Sequence, residues 1–506
     1  MGSDAFHADD AGVYDAIDGY SGDRSMASEH DVLISNNQLW RLSVTELSEL
    51  LQRGELTPTV LLDALLQRID ALNPQLNAIT VLNPQARAEA EESELRLAEG
   101  RARGPLEGIP VAIKDNIHVK GMATIWGSRA FQDSPARDQD ELPVKRLRQA
   151  GMVVLGKTNV PEFTLEGYTD NPVYGVTRNP WDTRLTPGGS SGGAVAAVAA
   201  GLVPCAIGTD GGGSIRRPAS HTGLIGLKPS IGKVARDNGL PHIMLDFEVI
   251  GPVTRTVADS KLLYQTMVGP DIRDRSSLLS VTVPQKTPLR ILYVSRFADN
   301  PLDPEIERNV AEAAERLRML GHEVIEGVLP FDLKFVDEFW PMLGSVAVGA
   351  LFERYPGAEQ LASAKFIDMA AVGKGISAPR YLDAIDRIDL FRKDVADAFK
   401  DIDIIMTPSA AALPWPAATP FPAEIDNQQV GPRGHAVYTG WVNACGHPAI
   451  NLPAASSVAG LPIGFQLVGC FGADEQLLEV AEQYESVLPE EYLRPPIEPN
   501  SSAVQR

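Results

Sequence analysis

Three short stretches hold side chains that could act on one another. GIPVAIKDN (108–116) carries an apolar run up to Lys114, TPGGSSGG (186–193) sets Ser190 in a glycine-rich loop, and GTDGGGS (208–214) places three glycines directly ahead of Ser214. A lysine at the end of a buried strand loses hydration, which penalises its ammonium form. At an ordinary pKa of about 10.4, only ~0.1% of such an amine is neutral near pH 7.4, and burial can lower that pKa to about 7–8. A neutral Lys114 could take a proton from Ser190 while Ser190 takes one from Ser214, which activates a hydroxyl without histidine. Gly211, Gly212 and Gly213 would then turn backbone N–H groups onto a developing oxyanion, each donor worth about 3–4 kcal/mol. Gly188 and Gly189 free the backbone before Ser190 from the limits a side chain imposes.

Two other patterns carry less. GMVVLGKT (151–158) satisfies the phosphate-loop string GxxxxGK[ST], but the string needs a strand before it and a helix opening at its lysine. Here MVVL is itself the strand, and Pro161 blocks a helix beginning at Lys157. The stretch reads as a core strand ending in a turn. PGGSSGG also contains GxSxG, yet NPWDTRLTP ahead of it is a poor strand for a nucleophile elbow. His221 is the histidine nearest Ser214 in the chain, and it would be the base if the lysine relay failed.

The elements that must position these groups follow from periodicity. GIPVAIK (108–114), MVVLG (152–156), VPCAIG (203–208), RILYVS (290–295), DIDIIM (401–406) and GFQLVG (464–469) read as buried strands. Ser43 with Glu46 forms a capping-box pattern, and Thr57-Pro58 reads as the cap and first residue of a second helix. DPEIERNVAEAAERLRML (303–320) is amphipathic and lies between RILYVS and HEVIE, the arrangement of a crossover helix joining parallel strands. AVAAVAA (194–200) is a small-residue helix suited to close packing beneath both serine loops. The body reads as one large α/β domain, residues 36–490, with a mixed, mainly parallel sheet covered by helices. Residues 1–35 read as an acidic, mobile tail and 491–506 as a C-terminal tail.

Composition sets outer bounds. The chain holds 45 basic and 66 acidic residues, a formal charge of −21, which would repel a phosphate backbone and argues against a nucleic-acid partner. The longest apolar stretch, 194–208, is broken by Gly201 and Pro204 and falls short of a membrane span. Cys205, Cys445 and Cys470 lack metal-ligand spacing and fit a reducing cytoplasm, and no signal-peptide pattern opens the sequence.

The segment PGGSSGGAVAAVAAGLVPCAIGTDGGGSIRRPASHTGLIGLKPS (187–230) resembles the signature segment of the amidase signature family, and GIPVAIKDN resembles its lysine segment. Ser190 and Ser214 are 24 residues apart, as in that family. Further matches are LGKTNVPEF, NPVYGVTRNPWD, GPVTRTVAD and GHPAINLPAA…GLPIGFQLVG, so the resemblance spans about residues 43–485. It implies a Ser–cisSer–Lys triad: Ser214 as acyl-forming nucleophile, Ser190 on a cis peptide after Gly189 as bridge, and Lys114 as base and later acid. It implies oxyanion donors at Gly211, Gly212, Gly213 and Ser214, a substrate-lining position at Thr164, and structural braces at Asp210 and Arg216. Gly211 stands where the family often has isoleucine or threonine.

The resemblance also implies amide hydrolysis without cofactor or metal. Expected substrates are small neutral amides such as anilides, aryl carbamates or cyclic amides, with no membrane or nucleic-acid partner and a homodimer as a possible assembly. Specificity is expected in residues 330–400, where Phe335, Phe339, Trp340 and Met342 cluster, and near Trp441. The alternative within the family is a glutamine-hydrolysing subunit of a tRNA-dependent amidotransferase. The long N-terminal extension and acidic balance place it second.

Overall fold

The computed structural model describes residues 38–279, 281 and 283–489; the two expected tails lie outside them. Lys114 closes a strand because VAI precedes it, and both faces of that strand are covered. Its neighbours are equally apolar, so the chain's middle is a sheet buried on both sides. Thirteen strands form among the described residues: β1 (Ile79–Leu82), β2 (Pro110–Lys114), β3 (Val153–Thr158), β4 (Cys205–Asp210), β5 (Ile225–Lys228), β6 (Val249–Thr254), β7 (Arg290–Tyr293), β8 (Glu323–Glu326), β9 (Ile404–Pro408), β10 (Glu424–Ile425), β11 (Gln428–Gln429), β12 (Ala449–Pro453) and β13 (Gly464–Gly469). Eleven of them make one sheet in the order β1-β3-β2-β4-β6-β5-β12-β13-β9-β7-β8, while β10 and β11 form a separate hairpin.

The expected mixed sheet within a single domain is what forms, and residues from Leu39 onward make one unit. The balance of its pairings differs from expectation. Parallel pairs join β2 to β3 and to β4, and β7 to β8 and to β9. The other six junctions are antiparallel. Parallel neighbours need a long crossover, whereas the short connection 454–463 returns β13 directly against β12. The sheet is therefore parallel in two groups, around β2 and around β7, and antiparallel between them.

All six anticipated strands form, and the helix Pro304–Met319 crosses between parallel β7 and β8 with Ile306, Val310 and Leu317 buried. The capping box is present: Ser43 Oγ accepts from Glu46 N–H (3.2 Å) and Ser43 N–H donates to the Glu46 carboxylate (2.7 Å). Thr57 caps the helix Pro58–Leu76. The phosphate-loop string runs through β3, where Lys157 is buried and pairs with Asp115 at 3.0 Å. The sequence reading missed β1, β5, β6 and β12, and the two-residue strands β10 and β11. In β5, β6 and β12 the apolar residues are interrupted by glycine, proline or asparagine, and β1 has only four residues, so no local period marks them.

Two layers matter for the site. Beneath the serine loops lies the helix Gly192–Ala199, every residue of which is buried. A Cβ at Gly193 would sit 2.3 Å from the Asn159 backbone nitrogen, so only glycine permits that approach. Over the carboxyl end of β4 lies the helix Lys334–Arg354, packed against the helix Ala364–Lys374. Lys334–Arg354 is long and apolar enough to cross a membrane by length and composition, and more than half of it is buried within the fold.

Candidate active site

β2 delivers Lys114 into the interior, where it is 0% exposed. Its register beside β4, with Ile113 opposite Ile207, sets the ammonium against Thr209. Lys114 Nζ donates to Ser190 Oγ (2.9 Å), Thr209 Oγ1 (2.8 Å) and the Thr209 carbonyl (3.1 Å). It makes no ion pair among the described residues. Burial pushes its pKa down to about 7, against the opposing charges of Glu248 and Asp210. An amine in this state is partly neutral at physiological pH and can accept a proton.

Ser190 follows a cis peptide from Gly189, as the resemblance implied. Gly189 is required for space: a Cβ there would lie 2.5 Å from the Tyr168 carbonyl oxygen. Ser191 N–H donates to the Ser214 carbonyl (3.1 Å), which ties the two serine loops together. Among the described residues no hydrogen bond joins the Ser190 and Ser214 hydroxyls themselves. Ser214 is 8% exposed and stands on the wall of a cavity of about 900 Å³, just ahead of the helix Arg216–Thr222.

The glycines divide their roles differently from expectation. Gly213 N–H donates to Asp210 Oδ1 at 2.6 Å, so it is already spent on the protein. Of the expected oxyanion residues, Gly211, Gly212 and Ser214 line the cavity. The Gly212 carbonyl is held by Thr439 Oγ1 (2.8 Å) and by the Arg217 guanidinium. The Gly212–Gly213 peptide is thus fixed at both its oxygen and its hydrogen.

Asp210 and Arg216 brace the loop, as expected. Arg216 Nε and Nη2 each donate to the Asp210 carboxylate at 3.0 Å, and both residues are fully buried. Arg216 also reaches Gln466 (2.7 Å) and Asn443 (2.6 Å), which ties β4 to β13 and to the helix Gly440–Cys445. Burial alone would raise the Asp210 pKa; the Arg216 charge and hydrogen bonds outweigh it and hold the carboxylate well below its usual range.

Thr164 lines the cavity, as does Trp340 from the segment expected to set specificity. Phe335, Phe339 and Met342 do not line it. Trp441 is a core residue against Phe331. His221 is no base for Ser214: its Nε2 contacts the Ala412 carbonyl (3.2 Å), its ring packs on Trp415, and burial lowers its pKa to about 4. Among the described residues no cluster of three His, Cys, Asp or Glu side chains could hold a metal ion.

Sequence reasoning missed Thr209, Arg217 and the loop 420–437, which supplies Phe421, Arg433 and His435 to the cavity. The available signal for Arg217 was its place beside Arg216, directly after Ser214-Ile215 in the signature-like segment. Nothing local marks the loop.

Residues 60–478 match the family model described as Amidase. Over 479 residues the chain is 36% identical to a glutamyl-tRNA(Gln) amidotransferase subunit of Synechococcus sp. (strain CC9605), with 88% of this chain and 96% of that protein covered. It is 35% identical to the protein of the same name from Chromohalobacter salexigens, with 88% and 96% covered. Among solved structures it is similar to a bacterial aryl acylamidase of the amidase signature family (TM-score 0.82, 28% identity, 89% of this chain and 97% of that one). It is equally similar to 6-aminohexanoate cyclic dimer hydrolase (TM-score 0.82, 30% identity, 90% and 99%).

These relatives overturn the expected partner set of a small molecule alone, with nucleic acid excluded. Proteins matching most of this chain are named as one component of an enzyme acting on a glutamyl-tRNA. Net charge describes only the chain that carries it, and one component of an assembly can serve a nucleic-acid substrate held elsewhere in it.

Proposed function

The chain belongs to the amidase family and acts on carboxylic C–N bonds, and on that premise we propose that it cleaves amides through an acyl-enzyme on Ser214. The observation that carries this reading is the buried Lys114 amine 2.9 Å from Ser190 Oγ, in no ion pair among the described residues. Neutral Lys114 takes the Ser190 proton as Ser190 takes that of Ser214, and Ser214 Oγ attacks the carbonyl carbon. N–H groups of Gly211, Gly212 and Ser214 receive the oxyanion. The proton held at Lys114 returns through Ser190 to the departing nitrogen, the C–N bond breaks, and water then releases the acid by the same route. Labelling with a fluorophosphonate tests the assignment: modification should fall on Ser214 and disappear in Ser214→Ala, and labelling elsewhere would overturn it.

Two readings of the amide remain, each with its own support. The sequence relatives favour glutamine, because proteins 33–36% identical share the amidotransferase name. The structural neighbours and the cavity, at the large end of the range for small-molecule sites, favour a bulkier amide set against Trp340, Met244, Met369 and Phe421. Assaying the chain alone on glutamine, anilides, aliphatic amides and aryl carbamates separates them. Glutaminase activity that needs the other amidotransferase components and glutamyl-tRNA selects the first; turnover of anilides by the isolated chain selects the second.

A further inference from the structure

Among the described residues Lys114 makes no ion pair, yet two side chains connect it to a carboxylate. Lys114 Nζ donates to Thr209 Oγ1 (2.8 Å), and that hydroxyl also accepts from Asn116 Nδ2 (3.0 Å). The same amide nitrogen donates to Glu248 Oε2 at 3.3 Å. A line of hydrogen bonds therefore runs from the amine, through Thr209 and Asn116, to a carboxylate on the cavity wall. Its neighbours hold the Asn116 amide in this orientation, because turning it over would set Oδ1 against the Glu248 carboxylate. As it stands, Oδ1 is buried without a partner, a cost that the two donated bonds must offset.

Glu248 is itself balanced. Its Oε1 pairs with Arg236 Nη1 (2.9 Å), and Arg236 Nε pairs with the fully buried Glu141 (2.8 Å). Behind this pair, a smaller cavity of about 360 Å³ is lined by both residues and by His242, Asp246, Arg273, Asp274 and Arg275. Around the amine, β3 brings Lys157 in its pair with Asp115, β4 brings Asp210 in its pair with Arg216, and Arg217 stands on the cavity wall. The helix Gly192–Ala199, packed against β2, contributes no charged side chain. Burial lowers the Lys114 pKa to about 7, with the Glu248 and Asp210 carboxylates opposing it and Arg236 and Arg217 adding to it. Asp210 is committed to the glycine loop and Arg216, which leaves Glu248 as the carboxylate joined to the amine by side-chain hydrogen bonds. In a water-poor interior such charges act across several ångströms.

We propose that Glu248 is a positioning residue: its charge, relayed to Lys114 by Asn116 and Thr209 and balanced by Arg236, sets the pH at which the amine becomes a base. This role rests on the amide-cleavage reading above. A carboxylate in direct contact would hold the amine as an ammonium ion, and none at all would leave a weaker base. A partly neutralised carboxylate at a distance gives an amine that can both take the Ser190 proton and return it.

The rate of fluorophosphonate labelling of the full chain, followed against pH, tests this for any substrate. In the unchanged protein the rate should rise with a midpoint near 7. Glu248→Gln keeps the shape and removes the charge, so the midpoint should move down by roughly one pH unit, to a lower plateau. Glu248→Asp should return most of that shift, and Arg236→Gln should move the midpoint up. A carboxylate that merely supported Gly211, where a Cβ would lie 3.5 Å from Glu248 Cβ, would lower the rate at every pH and leave the midpoint in place. Melting curves verify that each variant is folded; should Arg236→Gln fail to fold, the two Glu248 variants decide. A midpoint that stays or rises in Glu248→Gln, or one that stays or falls in folded Arg236→Gln, overturns the proposal while Ser214 is still labelled. Labelling away from Ser214, or an acid limb that persists in Lys114→Ala, would fail the amide-cleavage reading and the role of Glu248 with it.

Discussion

At the scale of single residues, the proposed chemistry hinges on the charge of one amine. With its pKa near 7, Lys114 is protonated below that value and cannot act as base, so kcat should fall about tenfold per pH unit on the acid side and level off above it. Lys114→Ala should lower kcat by three or more orders of magnitude and abolish that limb, as read from a pH–rate profile. Thr209 offers a finer probe. Its hydroxyl accepts from Lys114 at 2.8 Å, which stabilises the charged form. Thr209→Val should therefore move the acid limb down by about one pH unit; an unmoved limb would mean that the limb belongs to another group. His221→Ala should cost far less activity than Ser190→Ala, because His221 is turned to the Ala412 carbonyl. Lys114, Ser190 and Ser214 were legible in sequence because each is an unusual side chain in a local setting that explains it. Thr209 was not, since a threonine in a strand looks like any other until the neighbouring strand delivers an amine to it.

At the scale of elements, precision comes from close approach and from one buried ion pair. The helix Gly192–Ala199 can lie against the segment that follows β3 only because its first two residues are glycines. A Cβ on Gly193 would meet the Asn159 nitrogen at 2.3 Å and the Ala78 carbonyl oxygen at 2.7 Å, both backbone atoms. Gly193→Ala should destabilise the fold by about 1–3 kcal/mol, measurable by urea unfolding. Asp210 is the hub of the second device. It accepts from Gly213 N–H and from Arg216, and Arg216 continues to Asn443 and Gln466. Asp210→Asn leaves a buried guanidinium without its counter-charge, at an expected cost of about 3–5 kcal/mol, with loss of activity because the glycine loop is no longer fixed. The small-residue helix and the bracing pair were both readable from sequence. The commitment of Gly213 was not, because any of three consecutive glycine N–H groups could have turned toward Asp210.

At the scale of the whole molecule, several histidines are enclosed as neutral rings. Burial lowers the pKa of His118, His221 and His447 to about 4 in the fold, against about 6.5 in an unfolded chain. As pH falls below 6.5 the unfolded chain takes up these protons first, so stability is lost progressively from there down to pH 4. Glu485, pushed up to about 7 by burial, acts in the opposite direction and offsets part of this loss, so the melting temperature of Glu485→Gln should drop more steeply across that interval than that of the unchanged protein.

The sequence by itself singled out Lys114, Ser190 and Ser214 as the candidate reacting groups, and it determined the helix caps, the strands at 108–114 and 203–208, and the family. Each depends on residue type and on spacing within a few tens of residues. Tertiary structure alone decided the antiparallel centre of the sheet, the commitment of the Gly213 N–H to Asp210, and the placing of Arg217 and Arg433 on one cavity wall. Those outcomes depend on which distant segments share a boundary, and the energy that selects them is released only when the segments close on one another and exclude water.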